Sequence, residues 1–406
     1  QWRSGDWGNE QAIEEFTFDA SNDQLGWNWP MKYEEVSRAN AILINVPKIS
    51  MDQNLKNRIL GEAYFIRGLM YWYLYKIYGQ VPIIVEDNVI KNTYNVPKAS
   101  MAEMEERIET DMKKAADLLY ATNDESNIGR PTKGSAWGYL AKLYLYKEDF
   151  ANAIVYGQKV IDGPYKLLSN FADNFNPKVI QNPEMLFSIQ RRRGWTEENL
   201  ATWYYAPRPW DGWGFQEPLD DLANEFEPGD PRLKATMASV GDVINPGPGG
   251  GPVTYTAGLN NTGHYFRKYV AFRVEGDGLD HDLDIPLLRS ADIYLVVAEA
   301  KIRSNQNGDA EINAVRKRAG LANISNAKMK ELIHERRVEL AGENERHRDL
   351  IRWDKAGIIN LVAHYAVDRG VWKPKRVFQR PKHYYFALPQ RQIDLSNGIL
   401  KQNSNY

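Results

Sequence analysis

The 406-residue chain contains no cysteine, which excludes disulfides, Cys-ligated zinc, iron–sulfur clusters and thiol catalysis. The same absence leaves the compartment open. Only 6 histidines occur and they are scattered, so no metal cluster emerges and no cofactor is expected. No apolar run approaches the ~18 residues needed to cross a bilayer. A formal net charge of −2 supplies no basic field, which argues against nucleic acid as a partner. No GxSxG elbow is present, and the commonest hydrolase reading weakens with it. The chain opens at Gln1 with neither Met nor a signal-like stretch, so it reads as processed or truncated.

Aromatic residues are what the chain has in excess, with 12 Trp, 23 Tyr and 13 Phe making 12% of it. Tryptophan is hard to bury completely and its N–H wants a partner. Such a surplus implies large cores, exposed stacking platforms, or both.

Periodicity divides the chain into two helical blocks, about 31–163 and 289–356, around a different kind of sequence. Ile59, Ala63, Ile66, Met70, Tyr73, Leu74 and Ile77 follow the three-and-four spacing of an amphipathic helix over 57–78. Gly79 and Pro82 supply its stop. Ser100 with Glu103 is a capping box opening a helix to about Ala121. Past Pro131, two helical stretches meet near Glu148-Asp149. Gly134, Ala136, Ala141, Ala151 and Ala153 are the small residues expected where helices approach. The pattern looks tetratricopeptide-like, although no strict 34-residue period is visible. In the second block, helical stretches break at Gly308 and Gly320, and 328–353 reads as one helical run. Between the blocks, 163–285 holds 11 of the 20 Pro and 14 of the 30 Gly, so it is read as loop-rich and strand-poor. The first 30 residues read the same way, and 357–406 as an extended C-terminal segment.

Several chemical motifs are decoys. His334-Glu335 begins like a zinc-protease helix, but Val338 stands where the second histidine belongs. The pairs Arg336–Glu339, Glu343–Arg346 and Asp349–Arg352 fall at i,i+3 and read as a mixed-charge helix face worth about 0.2–0.5 kcal/mol per pair. The glycine run 247–251 lacks a following GK[ST]. Asp280, Asp282 and Asp284 alternate, but an EF-hand would need Gly at Ile285 and Glu at Ala291. Paired carboxylates of a glycosidase cannot be read from sequence among 53 acidic residues.

The aromatic cluster is informative. The 21 residues from Trp195 to Phe215 hold seven aromatics: Trp195, Trp203, Tyr204, Tyr205, Trp210, Trp213 and Phe215. A sugar ring offers an apolar C–H face and a belt of hydroxyls, which a flat aromatic ring and planar polar side chains satisfy respectively. Arg208, Asp211, Gln216 and Arg191, Arg192 and Arg193 interleave with the rings as such a site needs. The competing reading is that these rings pin an irregular region onto the scaffold. Two or three are expected to face solvent. Trp29, in helical phase with Tyr33, Val36 and Asn40, is read as core. The candidate ligand-binding set is Trp7, Trp27, Trp195, Trp203, Tyr204, Tyr205, Arg208, Trp210, Asp211 and Trp213, with no catalytic or metal residue. The three consecutive arginines at 191–193 favour an acidic or sulfated glycan.

Five segments in order resemble the SusD/RagB family of glycan-capturing outer-membrane lipoproteins of Bacteroidota: WPMKYEEVSRAN (29–40), GEAYFIRGLMYWYLYKIYGQVPII (61–84), RSADIYLVVAEAKIR (289–303) with INAVRKRAGL (312–321), ERRVELAGENERHRDLIRW (335–353) and the closing ALPQRQIDLSNGILKQN. The resemblance implies one mainly α domain over 1–406, with tetratricopeptide-like helices against a loop-rich ligand-binding portion at 164–288. It implies no catalysis. It also implies a cell-surface position through an N-terminal lipid, with a SusC-like TonB-dependent transporter as partner and an oligosaccharide or polysaccharide, or a peptide in some members, as ligand. Arg67 and Glu62 become scaffold residues in that picture. The lipid-bearing cysteine is not in this sequence, and Ala291-Asp292 stands where the family has Ala-Glu. Because the shared motifs fix no ligand residue, the candidate set rests on the aromatic argument alone. A glycosidase and a cytoplasmic helical scaffold are the readings from other classes.

Overall fold

Short polar side chains start the helices at the points where the backbone would otherwise leave N–H groups without partners. In the computed structural model, which describes residues 7–179, 182–191, 200–210, 212–244, 253–270, 282–367, 369 and 376–406, the Asp52 carboxylate accepts from the Leu55 N–H at 2.8 Å and opens the helix Gln53–Tyr78. Ser100 and Glu103 form a reciprocal capping box at the head of Met101–Leu118. Thr132 and Asp149 cap Lys133–Tyr146 and Phe150–Ile161. Gly79, at φ 75°, ends the first of these helices. Consecutive helices pack on one another from Asp23–Asn45 through to Phe150–Ile161, and Ser290–Arg303 closes against the last two. This is a tetratricopeptide-like helical scaffold. Its core runs through Phe65, Trp72, Tyr139, Leu140 and Val296. Trp29 lies in that core, 5% exposed.

The helices begin earlier than the sequence pattern suggests. Gly8–Glu15 is helical, and Asn22 caps a helix at Asp23–Asn45 that runs through Pro30. Proline there removes one backbone bond but is tolerated in a helix whose inner face, Leu25, Trp29, Val36 and Leu43, is buried. The 328–353 run breaks instead of continuing. Met329–Glu339 and Arg346–Lys355 are separate helices, because Gly342 (φ 80°) and Asn344 (φ 61°) take left-handed conformations between them. Ala151 faces solvent, while Gly134, Ala136, Ala141 and Ala153 are buried. The intervening portion is irregular, with three two-stranded antiparallel ribbons: Met185–Ile189 with Ile285–Arg289, Met237–Ser239 with His264–Phe266, and Val243–Ile244 with Val253–Thr254. A second, smaller core of Ala206, Ala238, Ile244, Tyr255, Tyr265 and Val270 lies under the last two.

The charges read as a solvated helix face are a buried network instead. Arg289 donates to Glu184 at 2.5 Å, to Glu339 at 3.0 Å and to Glu343 at 2.7 Å. Arg232 reaches Asp230, Glu335 and Glu339. Arg336 bridges Asp292 and Asp349. Of the three expected i,i+3 pairs only Asp349–Arg352 forms, because Glu339 and Glu343 turn toward cations of other segments. Arg67 is likewise buried between Asp111, Asn40 and Glu86, a structural role. Burial alone would raise the Glu339 carboxyl, but Arg318, Arg289, Arg232 and Lys268 hold it well below the usual range. Glu343, Asp349 and Asp292 shift in the same direction for the same reason.

Three predictions come from this packing. A Cβ on Gly157 would lie 2.3 Å from Val297 Cγ2, so Gly157→Ala is expected to cost about 1–3 kcal/mol in urea denaturation; a neutral result would contradict the close helix approach. Carboxylates whose folded-state pKa is depressed stabilise the fold above their unfolded value, roughly 4, and lose that contribution as pH falls. Buried His347, held to about 3, adds a loss that begins earlier, below the unfolded histidine value of about 6.5, so stability is expected to decline from about pH 6 and to fall steeply below about pH 4. Glu339→Gln, which leaves three cations short of an anion, is expected to cost about 3–5 kcal/mol at neutral pH.

Candidate functional site

The segment 200–217 is a helical turn whose chain doubles back on itself. Leu200–Tyr205 is helical, and the return strand bonds to it through Trp213 N–H to Trp203 O (2.6 Å), Phe215 N–H to Tyr204 O (2.7 Å) and Gly214 N–H to Ala206 O (2.9 Å). Gly212 is required by this close return, since a Cβ there would lie 2.1 Å from Ala206 O. Thr202 Oγ1 donates to Tyr269 O at 2.6 Å and ties the turn to the ribbon region.

The doubled chain sets its rings together, and the N-terminal segment adds one more. Trp7 packs on Trp213 (5.9 Å between centroids) and on Phe215 (5.8 Å). Trp213 meets Tyr204 at 5.1 Å and Trp203 at 6.4 Å. The Arg208 guanidinium sits 6.0 Å over Phe215. Trp7 is 45% exposed; Trp203, Tyr204 and Trp213 are half-buried and Phe215 is buried. Among the described residues of 203–215, no ring is fully solvent-facing, because each covers part of its neighbour. Tyr205 and Trp210 turn inward, Tyr205 onto Tyr269 and Phe266 and Trp210 onto Tyr255 and Tyr265. They belong to the second core more than to the open face. Trp27 is 58% exposed on the Asp23–Asn45 helix but makes no ring contact with a described residue and does not join the arc. Trp195 and Asp211 lie outside the described residues, as do Arg192 and Arg193.

A cavity of about 600 Å³ adjoins the arc, with Glu10, Gln216, Glu217, Phe266, Arg337 and Arg346 in its walls. Gln216 accepts from the Tyr205 hydroxyl at 3.2 Å, and the Glu10 N–H donates to Trp7 O, so the cavity and the arc share residues at their border. Burial raises the Glu10 carboxyl above its ordinary value, against its own backbone N–H and the Gln24 side chain, which lower it. Burial also raises Glu217, against N–H donors from Thr262 and Asn261. The Trp203 indole N–H is buried and has no acceptor among the described residues. Apolar faces next to unfilled donors and acceptors are what a polyhydroxylated ring requires. A second groove of similar volume, about 610 Å³, lies between Trp29, Tyr33, Tyr94 and Leu395 on the helical side. It contains none of the candidate residues.

The ligand atoms of Glu227, His334 and Glu335 all lie within 4.8 Å of one another. Arg316 already bonds Glu227 (2.5 Å) and Glu335 (3.2 Å), and Arg232 bonds Glu335 (2.5 Å). Two guanidinium groups thus hold the place a cation would take.

Residues 186–406 match the model of the SusD family, and residues 3–145 match a second model described as starch-binding and associating with the outer membrane. The chain belongs to the SusD family. It is 26% identical to a SusD-like protein of Bacteroides ovatus over 83% of this chain and 67% of that one. It is 25% identical to the starch-binding protein SusD of Bacteroides thetaiotaomicron over 88% of this chain and 78% of that one. Among solved structures, a laminarin-binding SusD-like protein superposes with a TM-score of 0.82 at 25% identity, covering 100% of this chain and 91% of the other. The SusD scaffold here carries the helices, and the loop-rich portion carries the arc. Sequence reasoning reached most of the arc but missed Glu10, Phe266, Arg337 and Arg346. The one signal bearing on Arg346 was its spacing from Glu343, and that pair does not form.

Proposed function

We propose that this SusD-family protein is a non-enzymatic glycan-binding protein, which stacks a few sugars of an oligosaccharide on Trp7, Trp203, Tyr204 and Trp213 and hydrogen-bonds their hydroxyls from the adjoining cavity. The observation that carries this reading is the meeting of Trp7 with Trp213 and Phe215 across some two hundred residues of chain. Core packing alone does not account for an arc that leaves a 45% exposed tryptophan at its rim, beside an indole N–H with no partner among the described residues. The starch- and laminarin-binding relatives support the class of ligand. Shallow stacking of this kind corresponds to millimolar to micromolar dissociation constants, about −4 to −8 kcal/mol. No step of bond making or breaking is assigned to any residue. Attachment to the outer membrane by an N-terminal lipid, and delivery of the glycan to a SusC-like TonB-dependent transporter, complete the proposal. Peptide capture is the alternative within the family, and it would use backbone edges more than ring faces.

The test is a double substitution, Trp7→Ala with Trp213→Ala, assayed by isothermal titration with an oligosaccharide selected on a glycan array. Each ring contributes about 0.5–1.5 kcal/mol beyond its buried area, so affinity is expected to fall by about tenfold to a hundredfold with the circular dichroism unchanged. Trp27→Ala is the control and is expected to bind as the parent does. Unchanged affinity in the double variant would remove the arc from the binding site.

A further inference from the structure

Arg346 stands at the first turn of the helix Arg346–Lys355 and in the wall of the cavity beside the arc. A guanidinium has five N–H donors in a planar fork and keeps its charge in nearly every protein setting. Here its described bonding is one long contact, 3.5 Å from the side chain to Ile333 O, with the Trp353 ring 5.7 Å away. Among the described residues, no carboxylate lies within ion-pair distance. The two nearest acids are committed elsewhere. Asp349 accepts from Arg336 on one oxygen and from Arg352 on the other, and Glu225 accepts from His334 and from Arg337.

The other charges of the cavity wall are matched or neutral. Asp221 binds Arg337 and Arg369, and Glu14 binds Arg376. Glu217 accepts from Thr262 and Asn261. Burial pushes the His347 imidazole down to about 3, leaving it uncharged at neutral pH, and it bonds the Tyr365 hydroxyl at 2.7 Å. Glu10 is hydrogen-bonded by its own backbone N–H and by Gln24, and burial raises its carboxyl. Arg346 is thus a cation without a counterion among the described residues of this wall, and burial together with the nearby Arg337 lowers its pKa to about 10. Every other buried arginine of the charge network described above has its carboxylates. The same helix directs its positive end to this wall, and its first turn has no side-chain cap.

We propose that the cavity beside the aromatic arc is a subsite for an anionic substituent of the bound glycan, a uronate carboxylate or a sulfate ester, which pairs with the Arg346 guanidinium. This rests on the glycan-binding reading given above and names the chemical class of its ligand. The carboxylate is planar and takes two parallel N–H···O bonds from such a fork, while a sulfate ester offers three oxygens to the same donors. The sugar ring that carries the anion stacks on the arc, and its hydroxyls reach Glu10 and Gln216 across the shared border. The subsite assigned here is that of Arg346; of the arginine run at 191–193, Arg191 alone is described.

The experiment is a glycan array carrying oligouronides and sulfated oligosaccharides beside their carboxyl-reduced and desulfated forms, followed by titration of the strongest pair at 20 and 300 mM salt. The expected result is an advantage of tenfold or more for the charged member of the pair, shrinking at the higher salt. Arg346→Gln is expected to abolish that advantage, with the charged form losing at least tenfold more affinity than the neutral form. Arg346→Lys, which keeps the charge and loses the fork, is expected to keep part of it. Preference confined to oligouronides assigns a carboxylate, and preference confined to sulfated members assigns a sulfate ester. Equal binding of charged and neutral forms overturns the inference and leaves glycan capture standing. An Arg346→Gln protein that folds but loses both forms equally also overturns it. A blank on every sugar overturns the inference and the glycan reading together.

Discussion

Arg289 is the residue on which the irregular half of this protein depends. It leads directly from a ribbon into the helix Ser290–Arg303, is fully buried, and binds Glu184 of the loop portion together with Glu339 and Glu343 from the segment around the next helices. Lys268 and Arg232 bring two further loop segments to the same carboxylates. Each charge has lost its water, so any one partner removed leaves the rest exposed to the full desolvation cost. A loop region with three short ribbons and a small core of its own needs such anchors, since hydrophobic burial cannot fix it as it fixes the helices. The penalty of burying so many ions is offset only because nearly all of them are matched.

That anchoring explains why a binding surface can be made from loops. Lys268 is held by Glu343, and its neighbour Tyr269 gives its carbonyl to Thr202 at the head of the doubled 200–217 segment. The ring of Tyr205 then stacks on Tyr269. A line of contacts therefore runs from the ion network to the rings, which are half-buried at Trp203, Tyr204 and Trp213. Trp7, arriving from the other end of the chain, closes the arc. Within this arrangement Arg346 differs from Arg337, Arg336 and Arg352, which have carboxylate partners. Its expected partner Glu343 is occupied by Arg289 and Lys268, which leaves Arg346 facing the cavity.

The helical half was legible because its rules are local. Ser100 with Glu103 and Gly79 are signals that a single turn of chain obeys, and the structure has helix ends at both, while the Asp52 cap that starts the same helix at Gln53 went unread. The break within 328–353 was hidden because Gly342 and Asn344 sit among residues of helical period, and only their left-handed backbone separates the two helices. The charges of 335–352 were misread for a related reason. Spacing along one helix shows which side chains share a face, but Glu339 and Glu343 take their partners from other segments, among them Arg318, Arg289, Lys268 and Arg232. Composition placed the aromatics in one region, yet could not separate Trp210 and Tyr205, which turn to the core, from Trp213 and Tyr204, which border the open face. The meeting of Trp7 with Trp213 is a tertiary contact with no local signature. The opposite fate of Trp27 has none either.

The central claim is that a glycan is held where Trp7 meets the 203–215 turn. Backbone hydrogen exchange, with and without a saturating oligosaccharide chosen from the array, tests it most directly, because ligand protection reports the occupied surface without any substitution. The account predicts slowed exchange in 7–15 and 200–217, with the helices from Gln53 to Ile161 unchanged. Protection centred instead on the groove between Trp29, Tyr94 and Leu395, with 200–217 exchanging as in the free protein, would contradict it.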